Sequence, residues 1–220
     1  NNHLVDGQVV DPVDYKMYYF IINQGGGDRA TKFDSTYVSY RGWRLDNKQF
    51  DINPTPFWAT FPKISNSELS LISGFRQFTA LLNTAESIDA PTGGDIIYNN
   101  YGVGVVFLPS GLGYYNNPQG SLPSFSPLIF TIRLHSLRER DHDRDGVLSK
   151  YENGNAVEDL YTVDTDGDNI PDFLDIDDDN DNVRTILEVR NPATGKSFPY
   201  ADIPTCLGGT LKKHLDPNCQ

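Results

Sequence analysis

Basic residues are scarce in this chain: 18 Lys and Arg stand against 30 Asp and Glu, a net charge of −12. A polyanion of this kind repels phosphate backbones, which argues against a nucleic-acid partner. Long apolar runs are missing as well, and none could span a bilayer. No charged-then-apolar leader opens the chain, and its first residue is Asn1 rather than Met. The expectation is a processed or trimmed start, compatible with an upstream signal peptide or lipid-bearing cysteine. Only two cysteines occur, Cys206 and Cys219. In an oxidising compartment they could close a small loop worth about 2–3 kcal/mol; in a cytosolic protein they would be two thiols.

The negative charge is unevenly placed. The block from Asp141 to Glu188 carries −13, which leaves +1 for the rest. A near-neutral domain therefore precedes an extremely acidic segment, and 220 residues suffice for one good domain plus a smaller module.

Between Tyr18 and Leu137 helical signal is also scarce. The exception is Leu71–Leu82, where Ile72, Phe75, Phe78 and Leu82 recur at steps of three and four and give one apolar face. Ser73 and Gly74 just before this face suit a helix start. Around it lie Met17–Asn23, a β-rich run, and Thr36–Leu45, which alternates as a half-buried strand. Asp46–Lys48 reads as a turn and Gln49–Asp51 as resumed strand. Asn53–Pro62, with three prolines, reads as a structured loop, and Asn83–Gly94 as a polar connection. Val103–Leu108 and the alternating run from Leu128 are strands. Gly111–Ser126 is a loop that holds Tyr114, Tyr115, Leu122 and Phe125, and Asn1–Asp14 is an extended lead-in. One helix among strands must bury its face on the sheet. The expected fold is α+β: a curved antiparallel sheet wrapped around one short helix, followed by a small loop module.

Four motifs in order carry a resemblance over residues 18–137. They are VSYRGWRLDNKQFD (Val38–Asp51), LISGF (Leu71–Phe75), LPSGLGY (Leu108–Tyr114) and SLPSFSPLIFTIRL (Ser121–Leu134). This stretch resembles FKBP-type peptidyl-prolyl cis-trans isomerases. The resemblance implies a proline pocket lined by Tyr40, Phe50, Asp51, Phe57, Leu71, Ile72, Phe75, Tyr114, Leu122 and Phe130, with Trp58 competing with Phe57 for the wall. Phe75 stands where the family usually has a Trp floor, and Tyr115 where a Gly usually follows the tyrosine. By the same resemblance, the Ile72 N–H and the Tyr114 hydroxyl would hold substrate carbonyls, and Asp51 would be held by Tyr40. No nucleophile, metal or proton relay is needed for this chemistry, and none stands out in the first half.

The acidic block repeats a twelve-residue pattern. Asp141–Glu152 places Asp141, Asp143, Asp145, Val147, Ser149 and Glu152 at positions 1, 3, 5, 7, 9 and 12 of an EF-hand calcium loop, with Gly146 at the turn. Asp164–Asp175 repeats it with Asp164, Asp166, Asp168, Ile170, Asp172 and Asp175. Asp177–Glu188 repeats it again with Asp177, Asp179, Asp181, Val183, Thr185 and Glu188. The close spacing of the last two resembles thrombospondin type 3 or dockerin-like repeats. Two or three structural Ca²⁺ ions are expected, in preference to Mg²⁺. A disordered acidic linker has no reason to keep this spacing three times.

The domains expected are a lead-in (1–17), an isomerase-like domain (18–138), calcium loops (139–190) and a loop-rich tail (191–220). The function expected is isomerisation of X-Pro bonds in folding polypeptides, in the periplasm or otherwise outside the cytoplasm, with membrane contact only through a lipid anchor. The alternative is a non-catalytic extracellular peptide-binding or adhesion module that docks a partner through calcium.

Overall fold

The computed structural model describes residues 14–61, 71–152 and 163–219, together with the backbone ladder of Leu4–Val5 (β1) and Gln8–Val9 (β2). The lead-in over Asn1–Asp14 lies largely outside these residues, as does Pro62. The chain divides into two compact units, Asn1–Arg138 and Glu139–Gln220. Residues 191–220 fall within the second.

The first unit is α+β. Its strands are Tyr18–Asn23 (β3), Ser35–Arg44 (β4), Gln49–Ala59 (β5), Gly102–Leu108 (β8) and Leu128–Arg138 (β9). They form one antiparallel sheet in the order β3-β8-β9-β4-β5. Alternation along β9 sends Leu128, Phe130, Ile132 and Leu134 into the core. The helix Ser73–Thr79 (α1) packs Phe75 and Phe78 onto these residues and onto Val38, Val106 and Leu108. Gly104 makes room for it: a Cβ there would come within 2.5 Å of Phe78 Cζ.

Three local expectations differ. Ser73 and Gly74 lie inside the first helical turn, and extended Ile72 is the cap. The Ser73 hydroxyl is engaged by Gln77 Nε2 at 2.9 Å, so it caps nothing. Asn53–Ala59 is strand, not loop. Proline is tolerated there because β5 is an edge strand paired only with β4, and the register slips between Tyr40↔Asn53 and Val38↔Phe57, around Pro54 and Pro56. The connection after the helix contains a short hairpin, Ser87–Asp89 (β6) with Ile97–Asn99 (β7). Its strands are too brief to show alternation.

The second unit is loop-rich, with single-turn helices Ser149–Glu152 (α2) and Thr185–Glu188 (α3). Val147, Val189 and Ile203 form a small core with Phe198 and Tyr200 against it. A Cys206–Cys219 disulfide closes the last loop, with the two Cα atoms 5.8 Å apart.

Candidate functional site

In the first unit the sheet and α1 gather an aromatic cluster. Tyr40 on β4 meets Phe57 on β5, Phe75 on α1 and Phe130 on β9 edge-on, at centroid distances of 6.0, 5.5 and 5.8 Å. Phe50 and Phe75 each meet Phe130 at 5.5 Å. Edge-to-face pairs of this geometry suit the aromatic quadrupole and are worth about 0.5–1.5 kcal/mol each beyond burial. Gly42 keeps the middle open, because a Cβ there would sit 2.7 Å from Phe50 Cζ and 2.9 Å from Phe130 Cε1.

Phe75, Leu122 and Phe130 are buried. Tyr40, Phe50, Phe57, Leu71, Ile72 and Tyr114 are half-buried and pack against them. The structure therefore brings nine of the ten residues named from sequence into one cluster. The tenth, Asp51, is tied to it through Tyr40, whose hydroxyl donates to Asp51 Oδ2 at 2.7 Å. Trp58 points elsewhere: it lies tilted against Tyr37 at 5.0 Å and carries the Arg138 guanidinium over its ring at 4.0 Å. Phe57, not Trp58, lines the cluster. Phe75 is only 1 % exposed, with Tyr40 and Phe130 edge-on against its ring. The surface a ligand would touch is thus the half-buried rim rather than an open floor.

The Asp51 carboxylate at this rim is held in place. Asp51 Oδ1 accepts the Ile52 N–H at 2.8 Å, while Oδ2 accepts a hydrogen bond from the Tyr40 hydroxyl. Burial, and then the hydrogen bond to Asp51, hold the Tyr40 phenol well above its ordinary range. Burial and the Asp51 charge raise Tyr114 as well. Both tyrosines are neutral hydrogen-bond donors at physiological pH.

In the second unit three loops share one geometry. Residues at positions 4 and 6 have positive φ in each: Arg144 and Gly146, Gly167 and Asn169, Asn180 and Asn182. Asn at position 6 serves as Gly does in the first loop, since a short polar side chain tolerates this region. In each loop the N–H of residue 7 donates to the residue-5 carboxylate: Val147 to Asp145, Ile170 to Asp168, Val183 to Asp181. The N–H of residue 9 closes each loop onto the carbonyl just before it, Ser149 to Arg140, Asp172 to Val163 and Thr185 to Ile176, at 2.9, 3.0 and 3.0 Å.

Carboxylate oxygens converge within 4.8 Å of one another in Asp141/Asp143/Asp145, Asp164/Asp166/Asp168 and Asp177/Asp179/Asp181. A fourth group joins Asp145 and Glu152 to Asp178, which the sequence pattern does not single out. The signal available was the run of three Asp at 177–179, where the loop pattern uses only alternate residues. Each position-9 side chain accepts the N–H of position 2 of its own loop, and Asp172 stands outside the four groups. Ser149 Oγ accepts the His142 N–H at 3.1 Å, Asp172 Oδ1 that of Thr165 at 2.7 Å, and Thr185 Oγ1 that of Asp178 at 3.2 Å. Asp175 and Glu188, at position 12, are buried but also stand outside the four groups. Both oxygens of Glu152 and of Glu188 are buried without a hydrogen-bond partner. Burial, and then the charge of Asp145, push the Glu152 carboxyl up to about 11. Such orphaned carboxylates fit a hard cation with oxygen ligands.

No helix among the described residues is long and apolar enough to cross a membrane. Residues 142–213 match the family model BamM_C, described as BamM C-terminal. No curated protein matches the chain. Among solved structures, similarity is found to a peptidyl-prolyl cis-trans isomerase from Pseudomonas syringae, at 22% identity and a TM-score of 0.43, over 56% of this chain and 76% of that one. FkpA from Escherichia coli is similar at 18% identity and a TM-score of 0.43, over 56% of this chain and about half (48%) of that one. The N-terminal domain of FKBP42 from Arabidopsis thaliana is similar at 16% identity and a TM-score of 0.43, over 59% of this chain and 98% of that one.

Proposed function

We propose that the first unit is an FKBP-like peptidyl-prolyl isomerase and that the second is ordered by calcium. The observation that carries the first half is a half-buried aromatic rim over buried Phe75 and Phe130, with one carboxylate fixed at its edge by Tyr40.

The chemistry follows from the amide. Rotating an X-Pro bond costs about 18–20 kcal/mol, because planarity carries resonance. The planar amide is the more charge-separated state. A dry aromatic surface disfavours it relative to the twisted state and lowers the barrier. Each 1.4 kcal/mol gained is about tenfold in rate. Tyr114 donates to a substrate carbonyl, Tyr40, Phe50 and Phe57 flank the proline ring, and Asp51 lies near the rotating amide. Proline-containing polypeptides are the substrates. Exchange between cis and trans proline signals of a test peptide, read by NMR with and without the protein, tests this. Acceleration that Asp51→Ala reduces supports it; an unchanged exchange rate rejects it.

Calcium binding is supported by the three matched loops and by the orphaned Glu152 and Glu188 carboxylates. All-oxygen ligands and flexible loop geometry favour Ca²⁺ over Mg²⁺. The bound ion supplies positive charge that lets clustered carboxylates pack. Calorimetric titration with calcium chloride tests it, and absence of any binding at millimolar calcium rejects it. The calcium-type loops, which suit a milieu of millimolar calcium, and the Cys206–Cys219 disulfide together favour a site of action outside the cytoplasm, the periplasm included.

A further inference from the structure

We infer that Asp178, the second residue of the third loop, is a ligand of the cation held by the first loop. This rests on the calcium reading above and adds a residue that the loop pattern leaves out.

In twelve-residue loops of this kind, side chains reach the ion from positions 1, 3, 5, 9 and 12. Position 2 has no such duty, and in the first two loops it does other things. His142 sets its ring against Phe173 at 5.7 Å and its Nδ1 2.8 Å from Ser149 Oγ. Thr165 is exposed and its hydroxyl donates to Asp172. Asp178 keeps the shared backbone bond, its N–H reaching Thr185 Oγ1. Its carboxylate does not turn to solvent: the residue is 1 % exposed, and neither oxygen has a hydrogen-bond partner.

The carboxylate is aimed at Asp145 and Glu152, with ligand atoms of all three within 4.8 Å of one another. Those two residues occupy positions 5 and 12 of the first loop and are themselves buried. Glu152 has both oxygens unpartnered, and Asp145 has one. Three desolvated carboxylates in one place repel each other and lack the hydrogen bonds that burial demands. A cation at their centre removes both difficulties. Two oxygens on one Ca²⁺ at 2.3–2.6 Å lie at most about 5 Å apart, so the observed convergence fits a single ion. An all-carboxylate set selects a hard ion over zinc or copper.

The consequence is that one ion clamps residues 141–152 to residues 177–188. The first loop reaches full affinity only when the third is in place.

The test is calcium titration of the full chain by calorimetry, comparing Asp178→Asn, Glu152→Gln and the double variant. Each single substitution is expected to weaken the same ion at least tenfold, and the double variant to lose one ion rather than two. Asparagine also removes a buried carboxyl that has no hydrogen-bond partner. In chelator Asp178→Asn should therefore melt at or above the parent, while its calcium-induced rise in Tm shrinks. A merely structural residue would lower Tm in both conditions. Parent-like binding by Asp178→Asn, or loss of two ions in the double variant, overturns the assignment. Should a variant fail to fold, carbodiimide labelling of the parent over a calcium series decides the matter by peptide mass spectrometry. Asp178 and Glu152 are expected to become protected with one midpoint. Protection of Glu152 but not Asp178 overturns this assignment alone; protection of neither overturns calcium binding at the first loop and this assignment with it.

Discussion

The Tyr40 hydroxyl donates to Asp51 Oδ2 at 2.7 Å across the β4–β5 pair. Tyr40 is opposite Asn53, and Asp51 is opposite Gly42, so the two are diagonal neighbours on one face of the ladder. Diagonal partners lie within reach of a long aromatic side chain. Removing Asp51 leaves the half-buried Tyr40 hydroxyl without this acceptor, whereas removing the hydroxyl leaves Asp51 still bonded to the Ile52 N–H. Asp51→Ala should cost about 1.5–3 kcal/mol of stability, as expected for a hydrogen bond to a charged group. It should lower X-Pro isomerisation about tenfold, read by NMR exchange on a test peptide. Tyr40→Phe keeps the ring and should lose less, about threefold in rate for a loss near 0.7 kcal/mol. If Tyr40→Phe proves worse than Asp51→Ala, the carboxylate is not the group that matters.

Phe75 is core as well as candidate site. Truncation to Ala should cost about 3–5 kcal/mol through the cavity it leaves, so an inactive Phe75→Ala reports little about chemistry. Phe75→Leu fills most of the site and removes the aromatic surface. The expected outcome is a smaller loss in urea unfolding than for Phe75→Ala, with a clear fall in isomerisation. Unchanged activity in Phe75→Leu would mean that the half-buried rim suffices.

Stability of the sheet unit should depend on His135. Its ring lies among Tyr37, Tyr98 and Tyr101, with Nε2 3.0 Å from Ser39 Oγ. Burial, and then the Arg133 charge, push it down to about 4 from an ordinary 6.5. The folded state thus resists a proton that the unfolded chain accepts. Its contribution is fully present above about pH 6.5 and is lost as pH falls through 4, up to about 3 kcal/mol. Trp43 and Trp58 both lie in this unit, so fluorescence-monitored unfolding between pH 7 and 4 reads it. His135→Gln should flatten the profile over that range. An equally steep profile in the variant would place the titration elsewhere.

Calcium should dominate the stability of residues 139–219. At a concentration a hundredfold above Kd, one ion adds about 2.7 kcal/mol. Chelation should therefore raise amide hydrogen exchange around Val147, Val189 and Ile203, and Glu152→Gln should reproduce part of that rise at saturating calcium. Reducing Cys206–Cys219 should cost about 2–3 kcal/mol more, measured as a lower Tm in dithiothreitol. Exchange that ignores calcium would leave the three loops without their ion.

Much of this was legible in sequence because burial imposes period. Leu128, Phe130, Ile132 and Leu134 announce a half-buried strand, and Phe75 and Phe78 a helix face, although the helix stops at Thr79 and leaves the expected Leu82 buried just beyond it. The loop pattern was equally open, since φ > 0 at two fixed positions selects Gly or Asn at most of them. What stayed hidden depends on neighbours. Pro54 and Pro56 read as loop until β5 is known to lie at a sheet edge. The choice between Phe57 and Trp58 turns on which face of that strand meets Tyr40. Asp178 sits at a silent position of its own loop, and its environment is set by residues more than twenty-five positions away.

The two prolines of β5 have a consequence beyond local pairing. Pro54 and Pro56 leave β5, the strand at one border of the sheet, without a backbone N–H at two positions, and proline on an edge strand hinders the zipping-on of a foreign strand. Among the described residues, that border is chemically blunted. Growth of the sheet by strand addition is left to the opposite margin, Tyr18–Asn23, whose backbone carries every donor.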